Sequence, residues 1–345
     1  MTIPLPISKS IANRLLLLHA SKGGDLSLLH IDNSTPDDVQ LMYHSLVAVQ
    51  DAGYTPFKLD LQNCGTAMRM LTAYFAQKQG CEVVLDGTER MHHRPINQLV
   101  DALRAMGADI QYLGSEGFPP LLIRGKELDK KQVVLNNPLS TQFVSALLLI
   151  GAQVQTTCQS PYITMTQSLL KHTPSLTESI ESDWSAAAFW YEYAVLNKST
   201  LFLQGLKHDS LQADKAAVEL FRQFGVNTTF ENDGVKIIGT GNILSAIAHV
   251  DFSSYPDLYP AVFATCFKLG IQMRFSGLES LTIKESNRID AMNQLLNVNH
   301  NMTLSSFDDH RIAMALLCAG YNVDNTDCIN KSYPTFISQW KRLQS

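Results

Sequence analysis

No apolar run in the 345-residue sequence reaches the roughly 18 residues that a membrane-spanning helix needs. Near the N-terminus, Leu15 to Leu18 gives only four apolar residues before His19, where a signal peptide needs about 7–15. Cysteine is sparse and scattered, at Cys64, Cys81, Cys158, Cys266, Cys318 and Cys328. Neither C-x-x-C nor H-E-x-x-H occurs, so no zinc site or disulfide framework is indicated, and free thiols suit a reducing cytoplasm. The absence of G-x-x-x-x-G-K-[ST] and G-x-G-x-x-G excludes a P-loop kinase and a Rossmann dehydrogenase. Without G-x-S-x-G, or a Ser/His/Asp order to replace it, nothing supports a hydrolase. An excess of positive charge is missing too. The 27 Lys and Arg against 32 Asp and Glu leave a net charge of −5, and no global attraction to nucleic acid or anionic membranes. The expectation is a soluble, cytoplasmic protein with neither a nucleic-acid nor a membrane partner.

The length suits about two domains, and two echoes organise it. The first is helix, glycine, strand: LVAVQDAGYTPFKL (46–59), LVDALRAMGADIQYL (99–113) and AVELFRQFGVNTTF (217–230). Helical apolar spacing runs to a glycine that suits a C-cap, and alternation follows. The third continues into ENDGVKIIG, where Asp233-Gly234 reads as a hairpin turn.

The second echo is a polar cluster followed at once by an apolar helix. It occurs six times: SKSIANRLLLLHA (8–20), NCGTAMRMLTAYFA (63–76), STQFVSALLLIGA (140–152), DWSAAAFWYEYAVL (183–196), DLYPAVFATCFKLG (257–270) and DHRIAMALLCAG (309–320). Bodies that are apolar nearly all round are buried helices. Six such units spell an internally repeated α/β architecture. Ser, Thr, Asn and Asp at the heads are good N-caps. Capping does not account for Lys9, Arg14, Arg69 and Arg311, because helix N-termini repel cations. An anion bound there would resolve the conflict.

More cations stand outside these helices: Arg90 and Arg94 in DGTERMHHRP, Lys284 and Arg288 in LTIKESNRIDAM, and Lys331 in KSYPTF. Each alone reads as a solvated surface charge. Together they imply substrates with several negative charges, which Arg can fork and Lys can meet as a point charge. Three acids stand among them. Asp183 and Asp257 open apolar helices and read on residue type as N-caps, and Glu285 reads as a local ion-pair partner. A chemical role would make them the acid and base among the cations.

In this order the motifs resemble those of the 5-enolpyruvylshikimate-3-phosphate synthase (3-phosphoshikimate 1-carboxyvinyltransferase) family. SKSIANR is similar to its S-K-S-x-x-N-R and NCGTAMR to its N-A-G-T-A-x-R. DGTERMHHRPI, LSTQF, SPYI, ESDWSAA, PDLYPA, LTIKESNRIDAM, DDHRIAMA and KSYPTF follow in family order, from residue 4 to near residue 340. The resemblance implies a two-domain inside-out α/β barrel of the enolpyruvyl transferase type, with six repeated βαβαββ-like units. Residues 8–181 would form the middle-segment domain, and residues 1–7 plus 182–345 a domain assembled from both chain ends. The site would lie in the cleft between them. Two units look trimmed, because the helix-glycine-strand echo is missing between Tyr162 and Asp183. Between Arg288 and Asp309 only one helix and one short strand fit.

The resemblance also implies a reaction. The 5-hydroxyl of shikimate 3-phosphate adds to C2 of phosphoenolpyruvate while C3 is protonated, and the tetrahedral intermediate loses phosphate. This is a step in aromatic amino acid biosynthesis, run by a monomer with no metal or organic cofactor. Carried over by position, Lys9, Ser10 and Arg14 would contact shikimate 3-phosphate, with Arg14 on its carboxylate. Ser140, Thr141, Gln142 and Tyr162 would hold its phosphate. Phosphoenolpyruvate would meet Lys9, Gln142, Arg90, Arg288, Arg311 and Lys331, with Gly65 keeping space for it. Asp257 would accept the 5-hydroxyl proton, Lys284 would bind beside that hydroxyl, and Glu285 would protonate C3.

Departures from the family pattern are Ile7 for a glycine, Met70 for a proline, Ser182 for a glycine, and Asn287 for an aspartate beside Arg288. Gln159 stands where the family has a serine. Ile7 is expected to shift Lys9, and Asn287 to loosen Arg288. Competing readings are a UDP-N-acetylglucosamine enolpyruvyl transferase-like enzyme and a non-catalytic phosphometabolite-binding relative. The first would need a different opening motif and a loop cysteine, yet no cysteine follows Arg90 until Cys158.

Overall fold

The computed structural model describes residues 1–52, 56–129, 132–243, 249–298 and 302–344. They divide into two compact units. One comprises Met1–Lys9, Asp32–Asp37 and Ile180–Ser345, the other Ser10–Ile31 and Asp38–Ser179. Among the described residues no helix is long and apolar enough to cross a membrane.

All six polar-headed segments are helices: Lys9–Ser21, Gly65–Gln77, Thr141–Leu149, Trp184–Asn197, Tyr259–Leu269 and His310–Cys318. Their bodies form the cores. In Trp184–Asn197, twelve consecutive residues from Trp184 to Val195 are buried. Glu192 within that run bonds through neither oxygen among the described residues. Burial pushes its carboxyl well up, so it sits in the core as a neutral acid.

Among the described residues each unit has one four-stranded sheet, and the two sheets share a plan. In the first unit Thr2–Pro4 runs parallel to Thr200–Gln204, which pairs antiparallel with Gly234–Gly239, which pairs in turn with Val226–Glu231. In the second unit the same order is Phe57–Asp60, Glu82–Asp86, Leu121–Arg124 and Asp109–Tyr112. Gly65–Gln77 makes the crossover between Phe57–Asp60 and Glu82–Asp86, as parallel strands require, whereas the chain of the whole second unit lies between Thr2–Pro4 and Thr200–Gln204, which the helix Trp184–Asn197 leads into. Three further parallel pairs have two strands only: Gln132–Val134 with Gln153–Gln155, His249–Asp251 with Arg274–Ser276, and Thr303–Leu304 with Asn322–Val323. Each of these also straddles a polar-headed helix.

The helix-glycine-strand echoes at 99–113 and 217–230 lead into the outer hairpins. Gly107 at φ +102° and Gly225 at φ +85° turn the chain at the helix ends, in a region that favours glycine. Gly53, in the first echo, lies outside the described residues. The hairpin turn falls one residue earlier than Asp233-Gly234: Gly234 already pairs with Glu231, so Asn232-Asp233 is the loop. The gap between Arg288 and Asp309 holds the helix Arg288–Asn293 and the two-residue strand Thr303–Leu304. Between Tyr162 and Asp183 no named strand occurs among the described residues. Among the described residues the outer hairpin occurs in two of the six repeats, as Asp109–Tyr112 with Leu121–Arg124 and as Val226–Glu231 with Gly234–Gly239.

Candidate active site

In the first unit, charged side chains converge on Asp257. It lies in the single turn Pro256–Leu258 that leads into Tyr259–Leu269. The residue in the N-cap position is Leu258, with no side-chain cap, so the Asp257 carboxylate is not used for capping. Instead Arg288 Nη1 donates to Oδ1 at 2.7 Å, Arg311 Nη2 to Oδ2 at 3.0 Å, and Lys284 Nζ to Oδ1 at 3.5 Å. Asp183 behaves as its residue type suggests. Its Oδ1 accepts from Ala186 N at 3.0 Å and caps its helix, and its Oδ2 accepts from Lys9 N at 3.2 Å. Two aspartates that read alike in sequence therefore part company.

Arg288 is 1% exposed and held by three carboxylates. Besides Asp257 it meets Asp309 through Nε at 2.7 Å and Nη2 at 3.2 Å, and Glu285 through Nη2 at 3.1 Å. Asn287 therefore does not loosen it. The Asn287 side chain caps Arg288–Asn293, its Oδ1 accepting from Asp290 N at 3.5 Å. Asp309, which sequence reading passed over, anchors Arg288 while capping its own helix through Arg311 N at 3.0 Å. Glu285 bridges Arg288 to Lys331, whose Nζ is 3.4 Å from Oε1. Tyr333, two residues beyond Lys331, accepts from Trp190 Nε1 at 3.0 Å and donates to Gln339 Oε1 at 2.6 Å.

Burial alone would raise the Asp257 carboxyl. The charges of Arg311, Lys284, Arg288 and Lys9 outweigh it and hold the group well below the usual carboxylate range. Burial lowers the Lys284 ammonium by more than Asp257 restores. Burial, with Lys9 and Arg311 nearby, also holds His310 well down as a neutral imidazole, and neither ring nitrogen has a hydrogen-bond partner among the described residues. Lys9, Lys284, Arg288, Arg311 and Lys331 gather around Asp257, Glu285 and Asp309, and Asp183 and Asp214 also act on Arg311. Five cations so close together suit an anion.

The backbone around Ile7, just ahead of Lys9, is tied down at several points. Ile7 bridges Ser182 in antiparallel fashion, Ser8 N donates to Glu181 O at 2.8 Å, and Asp183 N donates to Pro6 O at 2.9 Å. Gln212 locks the same place. Its Oε1 accepts from Ser8 Oγ at 2.9 Å and Trp184 N at 3.1 Å, and its Nε2 donates to Ser182 O at 2.8 Å.

In the second unit Arg14, 2% exposed, has only neutral oxygens as hydrogen-bond partners among the described residues. These are Ser10 O at 2.7 Å, Thr166 Oγ1 at 2.8 Å, Ser145 Oγ at 3.2 Å and Tyr162 O at 3.5 Å. Burial lowers its guanidinium to about 10, a buried cation with no counter-ion at those bonds. Ser145 and Thr166 were missed in sequence. Each stands four residues after an expected site residue, Thr141 and Tyr162, and so shares its helix face. Ser140 caps Thr141–Leu149, accepting from Gln142 N at 3.3 Å, and Ser160 caps Pro161–Lys171 the same way through Tyr162 N. Two helix N-termini thus lie beside the Arg14 cluster, a setting that favours an anion.

Gly65 opens Gly65–Gln77 against two guanidinium groups. A Cβ there would run into Arg69 Nη1 and lie 2.7 Å from Arg94 Cζ, so only glycine fits without movement. Arg69 donates to Gln142 Oε1 at 2.9 Å, and Gln142 Nε2 donates to Thr66 Oγ1 at 3.0 Å. Arg94 donates to Asn63 O at 3.0 Å. The cations against Gly65 are therefore Arg69 and Arg94. Arg90 lies half-buried ahead of the turn Met91–His93.

The comparisons with known proteins agree with one another. A family model for EPSP synthase (3-phosphoshikimate 1-carboxyvinyltransferase) matches residues 2–175 and 151–340. Two curated relatives from Bacteroides fragilis strains, both named 3-phosphoshikimate 1-carboxyvinyltransferase, are 34% and 35% identical. The matches cover 99% and 97% of this chain, and 94% and 93% of the relatives. A relative of the same name from Idiomarina loihiensis is 29% identical over 99% of this chain and 96% of its own. A solved structure of EPSP synthase from Acinetobacter baumannii superposes with a TM-score of 0.70 at 21% identity, covering 99% of this chain and 95% of that one. The first alignment runs over 399 positions against 345 residues here, so that relative has residues this chain lacks, in keeping with the reduced outer strands.

Proposed function

The chain belongs to the EPSP synthase (3-phosphoshikimate 1-carboxyvinyltransferase) family, and from that premise we propose that it transfers the enolpyruvyl group of phosphoenolpyruvate to the 5-hydroxyl of shikimate 3-phosphate, using the residues gathered around Asp257 and Arg14. The observation that carries this reading is the release of Asp257 from helix capping into a nest of three cations.

Asp257 takes the proton of the 5-hydroxyl as that oxygen bonds to C2 of phosphoenolpyruvate, and Glu285 gives a proton to C3. The tetrahedral intermediate then loses a proton from C3 as the C2–O bond to phosphate breaks, which restores the double bond. With its three cations in place Asp257 is a weak base. An incoming phosphate or carboxylate competes for Arg288, Arg311 and Lys284, and that competition raises the basicity of Asp257 when substrate is present. Arg288, Arg311 and Lys331 stabilise the leaving phosphate, Arg by forking and Lys as a point charge. In the second unit Arg14 takes the shikimate carboxylate, and Ser140, Thr141, Gln142 and Tyr162 take its phosphate. The six free cysteines suit a reducing cytoplasm.

Phosphate release from phosphoenolpyruvate, measured with alternative acceptors, tests the reading. Release is expected with shikimate 3-phosphate and not with UDP-N-acetylglucosamine. The reverse preference, or binding of shikimate 3-phosphate without release, overturns it.

A further inference from the structure

Asp214 is a buried carboxyl group that the mechanism above leaves unused. It stands in the turn Ala213–Ala216 of the first unit and is 4% exposed. One oxygen accepts a hydrogen bond from Ser185 Oγ, in the first turn of Trp184–Asn197. The other, Oδ1, has no hydrogen-bond partner among the described residues. The charged groups that act on it are Asp257 from the turn 256–258, Arg311 from His310–Cys318, and Asp183 from the head of Trp184–Asn197. Lys215, next in the chain, is engaged elsewhere, donating to His208 O. A purely structural acceptor for Ser185 could be a neutral amide. A carboxyl with one oxygen unspent, buried within electrostatic reach of Arg311, the cation that grips Asp257, has a second capacity.

We propose that Asp214 is a positioning residue for the transfer reaction: in its neutral form it leaves Arg311 to Asp257 and the incoming anion, and in its ionised form it draws on Arg311 and weakens the hold on phosphoenolpyruvate. Burial, reinforced by the charge of Asp257, pushes its carboxyl up to about 7, although Arg311 and the Ser185 bond pull the other way. The change of form therefore falls in the neutral range. The sign follows: as pH rises through that range Asp214 gains negative charge, and affinity for phosphoenolpyruvate falls. By reciprocity, bound phosphoenolpyruvate pushes the group further up.

The assignment rests on the proposed function, and the experiment separates the two. KM for phosphoenolpyruvate and kcat are measured from about pH 6 to 8.5 in the wild type, Asp214→Asn and Ser185→Ala. Calorimetric titration with phosphoenolpyruvate is run alongside. The ligand's own phosphate titrates equally for all three proteins and cancels in the comparison. The wild-type affinity is expected to fall by about five-fold or more beyond that shared component, the lower range of coupling between two sites. Asp214→Asn should lose this excess while keeping kcat near wild type. Ser185→Ala should move the midpoint to higher pH, because it removes a bond that favours the ionised form. An Asp214→Asn profile that matches the wild type, or a loss of kcat with the KM profile unchanged, overturns the assignment. If Asp214→Asn does not fold, an unmoved midpoint in Ser185→Ala overturns it. Absence of turnover in the wild type would sink the proposed function, while the calorimetric profiles would still decide the role of Asp214.

Discussion

Asp257→Asn is expected to lower kcat by a factor of about 10²–10⁴, the range for loss of a positioned general base. Binding of phosphoenolpyruvate should be kept or tightened. Asparagine preserves the shape of the side chain but cannot take the 5-hydroxyl proton. It also removes one negative charge from a cluster that Lys284, Arg288 and Arg311 share at 2.7 to 3.5 Å. Those cations become more available to an anion, so turnover and affinity should move in opposite directions. Because Asp257 caps no helix, no cap energy is lost. The melting temperature should drop only through poorer neutralisation of the buried Arg288. Phosphate-release kinetics, calorimetric titration with phosphoenolpyruvate and thermal unfolding read the three quantities. Activity within tenfold of wild type would reduce Asp257 to a counter-ion.

Arg14→Met should do the opposite to the fold. The guanidinium is 2% exposed and, among the described residues, its four hydrogen bonds end on neutral oxygens, so the folded state carries a buried cation with no counter-ion at those bonds. Burial depresses its value to about 10. For a base with a depressed folded value, the penalty is in full force at neutral pH and lifts only as pH rises above about 10. Methionine is similarly long, carries no charge and adapts to irregular spaces. The variant should unfold at the same or a higher temperature than wild type, yet lose shikimate 3-phosphate. Removing one partner of a buried charge pair costs about 2–5 kcal/mol, roughly 30-fold to several thousand-fold in affinity. A variant that binds shikimate 3-phosphate normally, or that unfolds well below wild type, would make Arg14 a structural cation.

How much of this was legible in sequence depended on the range of the interaction. The six helices were visible because N-caps and apolar runs are written within a dozen residues. Asp183 and Asp257 were indistinguishable at that range. What separates them is Arg288 and Arg311, distant in sequence, together with the Pro256–Leu258 turn that moves the cap position past Asp257. Asp309 was hidden for the same reason, since its cap role is local and its grip on Arg288 spans 21 residues. The concern over Asn287 failed because it weighed only the adjacent residue, where three carboxylates from elsewhere hold Arg288. The ties around Ile7 were equally hidden: Gln212, more than 200 residues away, accepts from Ser8 just ahead of the first helix. Among the loop cations residue type could not rank Arg94 above Arg90, because only folding puts one of them against Gly65.

The most direct measurement is product analysis after turnover of phosphoenolpyruvate and shikimate 3-phosphate in deuterium oxide. The expected result is one inorganic phosphate for each enolpyruvyl ether formed, with solvent deuterium in the methylene group of the ether, because C3 is transiently protonated at Glu285. Phosphate released together with free pyruvate and no ether, or an ether whose methylene carries no deuterium, would contradict addition and elimination at this site.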